Sequence, residues 1–546
     1  MEKRYVIGID YGTLSGRAVL LDAENGKEIA ESEFPYPHGV MDRELPCGKK
    51  LDDHFALQHP QDYLDVLRYV IRDVLAKSNI SADCVAALGI DFTACTLIPL
   101  DEEGIPLCFK SEFEHEPHAY VKLWKHHAAG AEAEEITELA RTRGEKWLDT
   151  FGGRISSEWA LPKILEILRK APNIYHATSR FSEAGDWLSY ILTGKESHAA
   201  AFSGYKALWR SGIGYPSTDF LASLDPELRN IVGTKLSTEI STVEKSAGHL
   251  NSIGAELTGL AEGTVLALPM IDAHAAMPAI GAVKPGDFVM IIGTSTCHLM
   301  HTESSSDIPG ICGYVKDGVV PGCYTYEAGQ ACVGDSFAWF VDNCLPESYI
   351  SEASRSNISA HKLLRSKADK LMPGESGLIV LDWFNGNRSI LNRADLSGLI
   401  LGLTLRTKPE EIYRALLEAT AFGSRMILEQ FEKNGLTVRD IYAAGGIAQK
   451  DPFLMQIYAD VLGKPIHVSD AKQAGALGSA IYAAAAAGIY NSVCEASLIL
   501  ASPCNTHYYP DTANQKSYDS LYAEYVELSN YFGKGENNIM RRLMQR

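Results

Sequence analysis

Tyr5-Val-Ile-Gly-Ile-Asp10-Tyr-Gly12-Thr13-Leu-Ser15-Gly-Arg17-Ala-Val-Leu-Leu-Asp22 is an apolar run, a turn of glycines and hydroxyls, and a second apolar run. The pattern predicts a β-hairpin whose first strand ends in a carboxylate. Lys27-Glu-Ile-Ala-Glu-Ser-Glu-Phe34 extends it as the third strand of a meander. Leu64, Leu67, Ile71, Val74 and Leu75 then fall at helical spacing within residues 60–77, and Val85-Ala-Ala-Leu-Gly-Ile-Asp91 returns as a short buried strand. Strands alternating with helices put the chain in the α/β class.

A second opening of the same kind, Gly286-Asp-Phe-Val-Met-Ile-Ile-Gly293-Thr294-Ser295-Thr296-Cys-His-Leu-Met300, lies near the middle. Gly12-Thr13 falls on Gly293-Thr294, and Ile291 stands where the first copy has Asp10. This weak self-similarity suggests a duplicated domain whose copies face each other, divided near residue 282 into 1–282 and 283–546. Two domains also suit the length, because 546 residues exceed the size at which one core stops growing. Further on, residues 409–433 predict a long amphipathic helix, Ile441-Tyr-Ala-Ala444 a strand, and the residues after Asp451 another helix. Ser304 to Asp307 reads as a surface turn, and the tail after about Pro503 as polar coil leading into a helix.

Hydrophobic residues at 46 % and charged residues at 22 % are those of an ordered globular protein. A formal net charge of −19 disfavours nucleic acid and anionic membranes, so any phosphate must be held by local groups. The 11 cysteines are dispersed without a CxxC pair, as in a cytoplasmic protein with reduced thiols. The N-terminus enters a strand where a secretory peptide would need a longer apolar stretch, and the apolar run from Ile481 to Ala487 is too short to span a bilayer. His115, His118, His126 and His127 lack the spacing of a metal site and are assigned none.

Three turns could carry chemistry. At the first, backbone amides with Thr13, Ser15 and Arg17 can meet phosphate oxygens while Asp10 serves a Mg²⁺ ion. Taken alone it is equally a plain hairpin turn. Gly293, Thr294 and Ser295 form the facing turn without the acid, an asymmetry that a single active site requires. At the second, Val265-Leu-Ala-Leu-Pro-Met-Ile-Asp272-Ala-His-Ala-Ala, a lone acid follows a strand and precedes small residues. It can take a proton from an attacking hydroxyl, or simply cap a helix. At the third, Gly445-Gly446 ends a strand and Asp451-Pro452 starts a helix, so that a flat base could lie on backbone without Cβ atoms. No GxxxxGK[ST] loop occurs, and no complete GxGxxG follows a strand.

In order along nearly the whole chain, DYGT, EWALPK (Glu158 to Lys163), IDAHAA, GTST, AAGGIAQKDPFLMQIYADVLGKPI and AGALGSA resemble the FGGY carbohydrate kinases. The segments DFTACTLIP (Asp91 to Pro99), FSGYKALW (Phe202 to Trp209), EAGQACVGDSFAWF (Glu327 to Phe340) and LDWFNGNRSIL (Leu381 to Leu391) are similar to the branch acting on ribulose. The resemblance implies two ribonuclease-H-like domains of the actin and hexokinase type closing on ATP and Mg²⁺. It implies a small sugar as acceptor, L-ribulose with D-ribulose as a second candidate.

It further implies that Asp272 is the general base, that Asp10, with Asp272 beside it, faces the metal, and that Gly12, Thr13, Gly293, Thr294 and Gly446 surround the nucleotide. Ser15, Arg17, Ser295, Gly445 and Asp451 complete the expected nucleotide contacts. For the sugar, Lys206 can donate, Glu327 can accept and Ala94 leaves room, although Lys206 alone could be a solvated surface lysine. The family loop written Gly-Glu-Arg-x-Pro is here Gly386-Asn-Arg388-Ser-Ile, which leaves the role of Arg388 open. The first domain is expected to hold sugar and base and the second the nucleotide; a homodimer is retained as an expectation.

Overall fold

The computed structural model describes residues 4–243, 245–535 and 537–544. Two seven-stranded sheets share the arrangement of six of their strands. In the first, Tyr5–Tyr11 and Ser15–Asp22 form the hairpin in the register Ile9 with Ala18 and Asp10 with Arg17, and Glu28–Pro35 adds the third antiparallel strand. Helix Pro60–Ser78 crosses over and returns the chain as Val85–Phe92, parallel to the first strand. Val265–Ala267 joins parallel to that strand and Ser246–His249 closes the edge antiparallel. The second sheet repeats the order with Asp287–Ile292, Thr296–Thr302 and Tyr324–Gln330 as meander. Helix Pro409–Lys433 leads to the parallel strand Asp440–Ala444, and Ile466–Val468 and Thr506–Tyr508 close the edge. The likeness expected from two Gly-Thr turns thus extends over six strands of each sheet, with the two far-edge strands in reverse chain order.

Burial explains the patterns. The first strand is central and buried on both faces, so it reads as a near-continuous apolar run. The third is peripheral and alternates, with Glu28, Glu31 and Glu33 on its wet positions. The crossover helix buries Val66, Leu67, Val70, Ile71 and Val74 against the sheet.

Two features were not legible beforehand. A separate lobe with its own core, from Met41 and Leu57 through Trp147 and Trp159 to Leu228, grows out of the first half around a four-stranded sheet. Helix Ala474–Ala486 follows strands of the second sheet in sequence but packs on Tyr5–Tyr11 and Val85–Phe92 of the first. Its backbone lies directly on glycines. A Cβ on Gly8 would stand 1.8 Å from the Ala476 carbonyl oxygen, and one on Gly89 1.9 Å from that of Ser479.

His198, beside the core of the first sheet, meets Asp186 Oδ2 at 3.3 Å and Glu196 Oε1 at 3.1 Å. Burial pulls its imidazolium down, but the two carboxylates outweigh that and raise its pKa to about 9. The stabilisation from the charged ring is therefore complete below the unfolded value of about 6.5 and is lost as pH rises through about 9. Burial also pushes Asp186 up, which returns part of the gain. Denaturant midpoints measured across this window should fall by the equivalent of roughly 1–3 kcal/mol, and His198→Gln should flatten the slope.

Candidate active site

Two cavities meet between the sheets. One, of about 270 Å³, is lined by Ala94, Cys95, Trp124, Glu158, Lys206, Cys297, Glu327, Arg388 and the turn Gly293–Ser295. The other, of about 630 Å³, is lined by Asp10, Gly12, Arg17, Gly445, Gly446, Gln449, Lys450, Lys472 and Gly475. Thr13, Thr93, Asp272, Ala273 and Ile291 border both. Asp272 therefore stands at the junction, which is where a group must stand to touch both halves of a transfer reaction.

Asp272 opens helix Asp272–Ala279, and the Ala273 N–H donates to its Oδ1 at 2.7 Å. Burial, then the neighbouring Asp10 carboxylate, push its pKa up to about 7, against the pull of that N–H. A carboxylate near neutrality is matched to accepting a proton from an alcohol.

The wall of the smaller cavity is polar and joins the two halves. Lys206 Nζ donates to Glu327 Oε1 at 2.6 Å, and His274 Nε2 lies 3.2 Å from Glu327 Oε2. Burial pushes the Glu327 carboxyl up, but the Lys206 ammonium outweighs it and holds the group far below the usual carboxylate range. Arg388 Nη2 donates to Glu158 Oε1 at 3.1 Å. Trp124 Nε1 donates to Thr13 Oγ1 at 3.3 Å, closing the cavity against the first turn.

The larger cavity suits a phosphate chain. Each hairpin turn closes on its glycine N–H, Gly12 to the Ser15 carbonyl at 3.0 Å and Gly293 to the nearer Ser295 carbonyl at 2.9 Å. Gly445 sits at φ 98°, and a Cβ there would meet the Ile292 carbonyl at 2.4 Å, so glycine is required. Gly446 has nothing within 4 Å of its missing Cβ and leaves open floor. Arg17, Lys450 and Lys472 supply local positive charge in a chain of net charge −19.

Asp91, which was not expected near the site, lies buried behind it and lines neither cavity. Gly8-Ile-Asp10-Tyr11 and Gly89-Ile-Asp91-Phe92 lie side by side in register, and the two carboxyls are hydrogen-bonded to each other. Burial and the neighbouring Asp10 raise Asp91 well above the ordinary carboxylate range. The repeated Gly-Ile-Asp-aromatic signature was the missed signal. No cluster of three or more His, Cys, Asp and Glu side chains forms a protein-only metal site among the described residues. The Asp10 and Asp272 carboxyls, both on the larger cavity, do fit Mg²⁺, which prefers few protein oxygens together with water and phosphate.

Most of the residues expected at the site border one cavity or the other, with two exceptions. Ser15 donates its hydroxyl to Glu33 at 2.7 Å and lines neither cavity. Asp451 caps helix Pro452–Leu462 by accepting from the Leu454 N–H at 3.0 Å, pairs with Arg365, and likewise lines neither. In both, a local partner on the residue's own or an adjoining segment takes the oxygen that a ligand would need. Gly293, Thr294 and Ser295 border the smaller cavity, not the larger. Trp124, Glu158, Lys450 and Lys472 were not singled out, although Glu158 and Lys450 lay within quoted motifs.

Paired sheets of this topology, with a poised carboxylate between a sugar-sized and a nucleotide-sized cavity, define a two-domain α/β phosphotransferase. The N-terminal domain of the FGGY family of carbohydrate kinases matches residues 5–277 and its C-terminal domain residues 288–487. The chain belongs to the FGGY family and is a sugar kinase. It is 50 % identical over 535 residues to a ribulokinase of Bacillus licheniformis, covering 97 % of each chain. It is 46 % identical to one of Mycolicibacterium smegmatis over 99 % of this chain and 96 % of that one. The xylulose kinase of Rhodospirillum rubrum superposes over 100 % of both chains with a TM-score of 0.80 at 21 % identity. The glycerol kinase of Plasmodium falciparum with ADP superposes over 96 % of this chain and 98 % of that one, with a TM-score of 0.75 at 18 % identity. No helix among the described residues is long and apolar enough to cross a membrane.

Proposed function

We propose that this kinase transfers the γ-phosphoryl group of ATP to the C5 hydroxyl of L-ribulose, the kinase step of L-arabinose catabolism. The observation that carries the reading is the place of Asp272, bordering both cavities with a pKa of about 7. Full-length relatives named ribulokinase at 41–50 % identity support the choice of sugar. The smaller cavity takes the ketopentose. Lys206 donates to its oxygens, Glu327 accepts from its hydroxyls, and Ala94 leaves space beside it.

Asp272 orients the C5 hydroxyl and removes its proton as the oxygen attacks in line. The larger cavity takes ATP, with the phosphates against Gly12, Thr13 and Arg17 and the base over Gly445 and Gly446. A Mg²⁺ ion served by Asp10, with Asp272 beside it, would offset charge on the transferred group. Residues 1–282 then supply the base and part of the sugar pocket, which Glu327 completes from 283–546, while 283–546 hold the nucleotide together with the first turn. Closure of the cleft excludes water as a competing acceptor.

Coupled ADP-release assays over L-ribulose, D-ribulose, D-xylulose, L-rhamnulose and glycerol test the reading; kcat/KM highest on glycerol or xylulose would refute it. Glu327→Gln removes the negative charge that anchors Lys206 and His274. It should raise KM for L-ribulose about tenfold to a hundredfold, with KM for ATP little changed, as steady-state kinetics would record.

A further inference from the structure

Lys163, on helix Ala160–Lys170, has no exposed surface. A lysine is seldom buried unless its N–H donors are met. Its Nζ donates to three backbone carbonyls, Cys95 at 2.6 Å, Leu123 at 2.9 Å and Lys122 at 3.3 Å. These belong to two separate segments, which a single β-ladder pair, Leu97 with Lys122, joins just beside this point. Cys95 stands at φ 61°, a left-handed conformation that a non-glycine residue keeps only when its surroundings hold it.

Each clamped segment delivers a wall of the smaller cavity. Ala94 and Cys95 line it from one side, and Trp124, directly after Leu123, lines it from another and reaches Thr13. Lys163 itself does not line the cavity. The neighbouring Lys122 is a useful contrast. It is just as buried, but its Nζ meets side chains, His126 Nε2 at 3.1 Å and Glu166 Oε2 at 3.1 Å.

We propose that Lys163 is a positioning residue for the sugar, its ammonium binding segment 93–96 to segment 121–124 and so fixing Ala94, Cys95 and Trp124 as cavity walls. The proposal rests on the reading that the smaller cavity holds the sugar. The clamp acts through backbone oxygens, so only a side chain of this reach with several donors can perform it. Displaced walls would loosen the sugar while leaving the larger cavity, which shares none of these three walls, intact.

Lys163→Met keeps the length of the stem and removes every donor. KM for L-ribulose, and Kd for the sugar by calorimetry without nucleotide, should rise about tenfold to a hundredfold, with KM for MgATP close to wild type. Unchanged sugar affinity in folded Lys163→Met, or equal losses for sugar and ATP, overturns the clamp. Should that variant fail to fold, Lys163→Gln combined with Trp124→Phe decides. The two effects on sugar KM must be non-additive if the lysine acts through the Trp124 wall, and additivity overturns the proposal. Silence of Lys163→Met beside a weakened Glu327→Gln refutes the clamp alone; silence of both refutes the assignment of the cavity and the clamp with it.

Discussion

On the proposed reading, replacing Asp272 by Asn should lower kcat on L-ribulose about 10²- to 10⁴-fold while leaving the dissociation constant of MgATP near its wild-type value. The amide keeps the shape of the side chain and can still accept the Ala273 N–H. It cannot take the proton of an attacking alcohol. Because the loss falls on the chemical step, it appears in kcat and kcat/KM alike; nucleotide binding by calorimetry separates it from a folding defect. In the wild-type enzyme the same carboxyl has a pKa of about 7, so kcat/KM should fall as pH drops through neutrality and the residue becomes protonated. A profile flat down to pH 5, or an Asn variant with normal turnover, would remove Asp272 from the chemistry.

Gly89→Ala is the second substitution with a large expected effect, this time on stability. Its Cβ would stand 1.9 Å from the Ser479 carbonyl oxygen, inside the helix Ala474–Ala486, with backbone and not a flexible side chain in the way. The helix must move off the sheet or the strand must bend. The expected cost is about 3 kcal/mol or more, read as a drop in the denaturant midpoint. Displacement also breaks the bond from the Ser479 hydroxyl to Asp91 Oδ2, 2.6 Å in the native fold, and moves Gly475 away from Asp10. Nucleotide affinity should fall with stability. Gly446→Ala provides the contrast, since no atom lies within 4 Å of the added carbon. It should fold normally and weaken only the nucleotide, by filling floor that the ligand needs. Unchanged stability in Gly89→Ala would show that the helix does not rest on the strand as described.

The two glycine contacts also explain the order of the chain. A helix made of small residues, Ala474-Gly-Ala-Leu-Gly-Ser-Ala480, can lie backbone to backbone on strands that carry Gly8 and Gly89. On its other side, a Cβ on Gly478 would meet the Ala275 carbonyl at 1.7 Å. The first turn of this helix borders the larger cavity, so a segment remote in sequence is locked against both Asp10 and the helix that Asp272 opens.

By itself the sequence determined the elements whose signals are local. The two hairpins, the helix at 60–78 and that at 409–433, and the parallel strands after them follow from periodicity and turn chemistry, because each buries one face against a regular neighbour. Asp10, Asp272 and the Gly-Thr turns were visible because strand ends and turns advertise themselves in adjacent residues. Only the tertiary structure decided what lies next to what across hundreds of residues. It paired Asp91 with Asp10, Glu158 with Arg388 and Lys163 with three carbonyls, and it turned the oxygens of Ser15 and Asp451 to partners of their own. Such pairings depend on which side chain reaches a given point in space, and that is fixed by the packing of whole elements, which no run of neighbouring residues encodes.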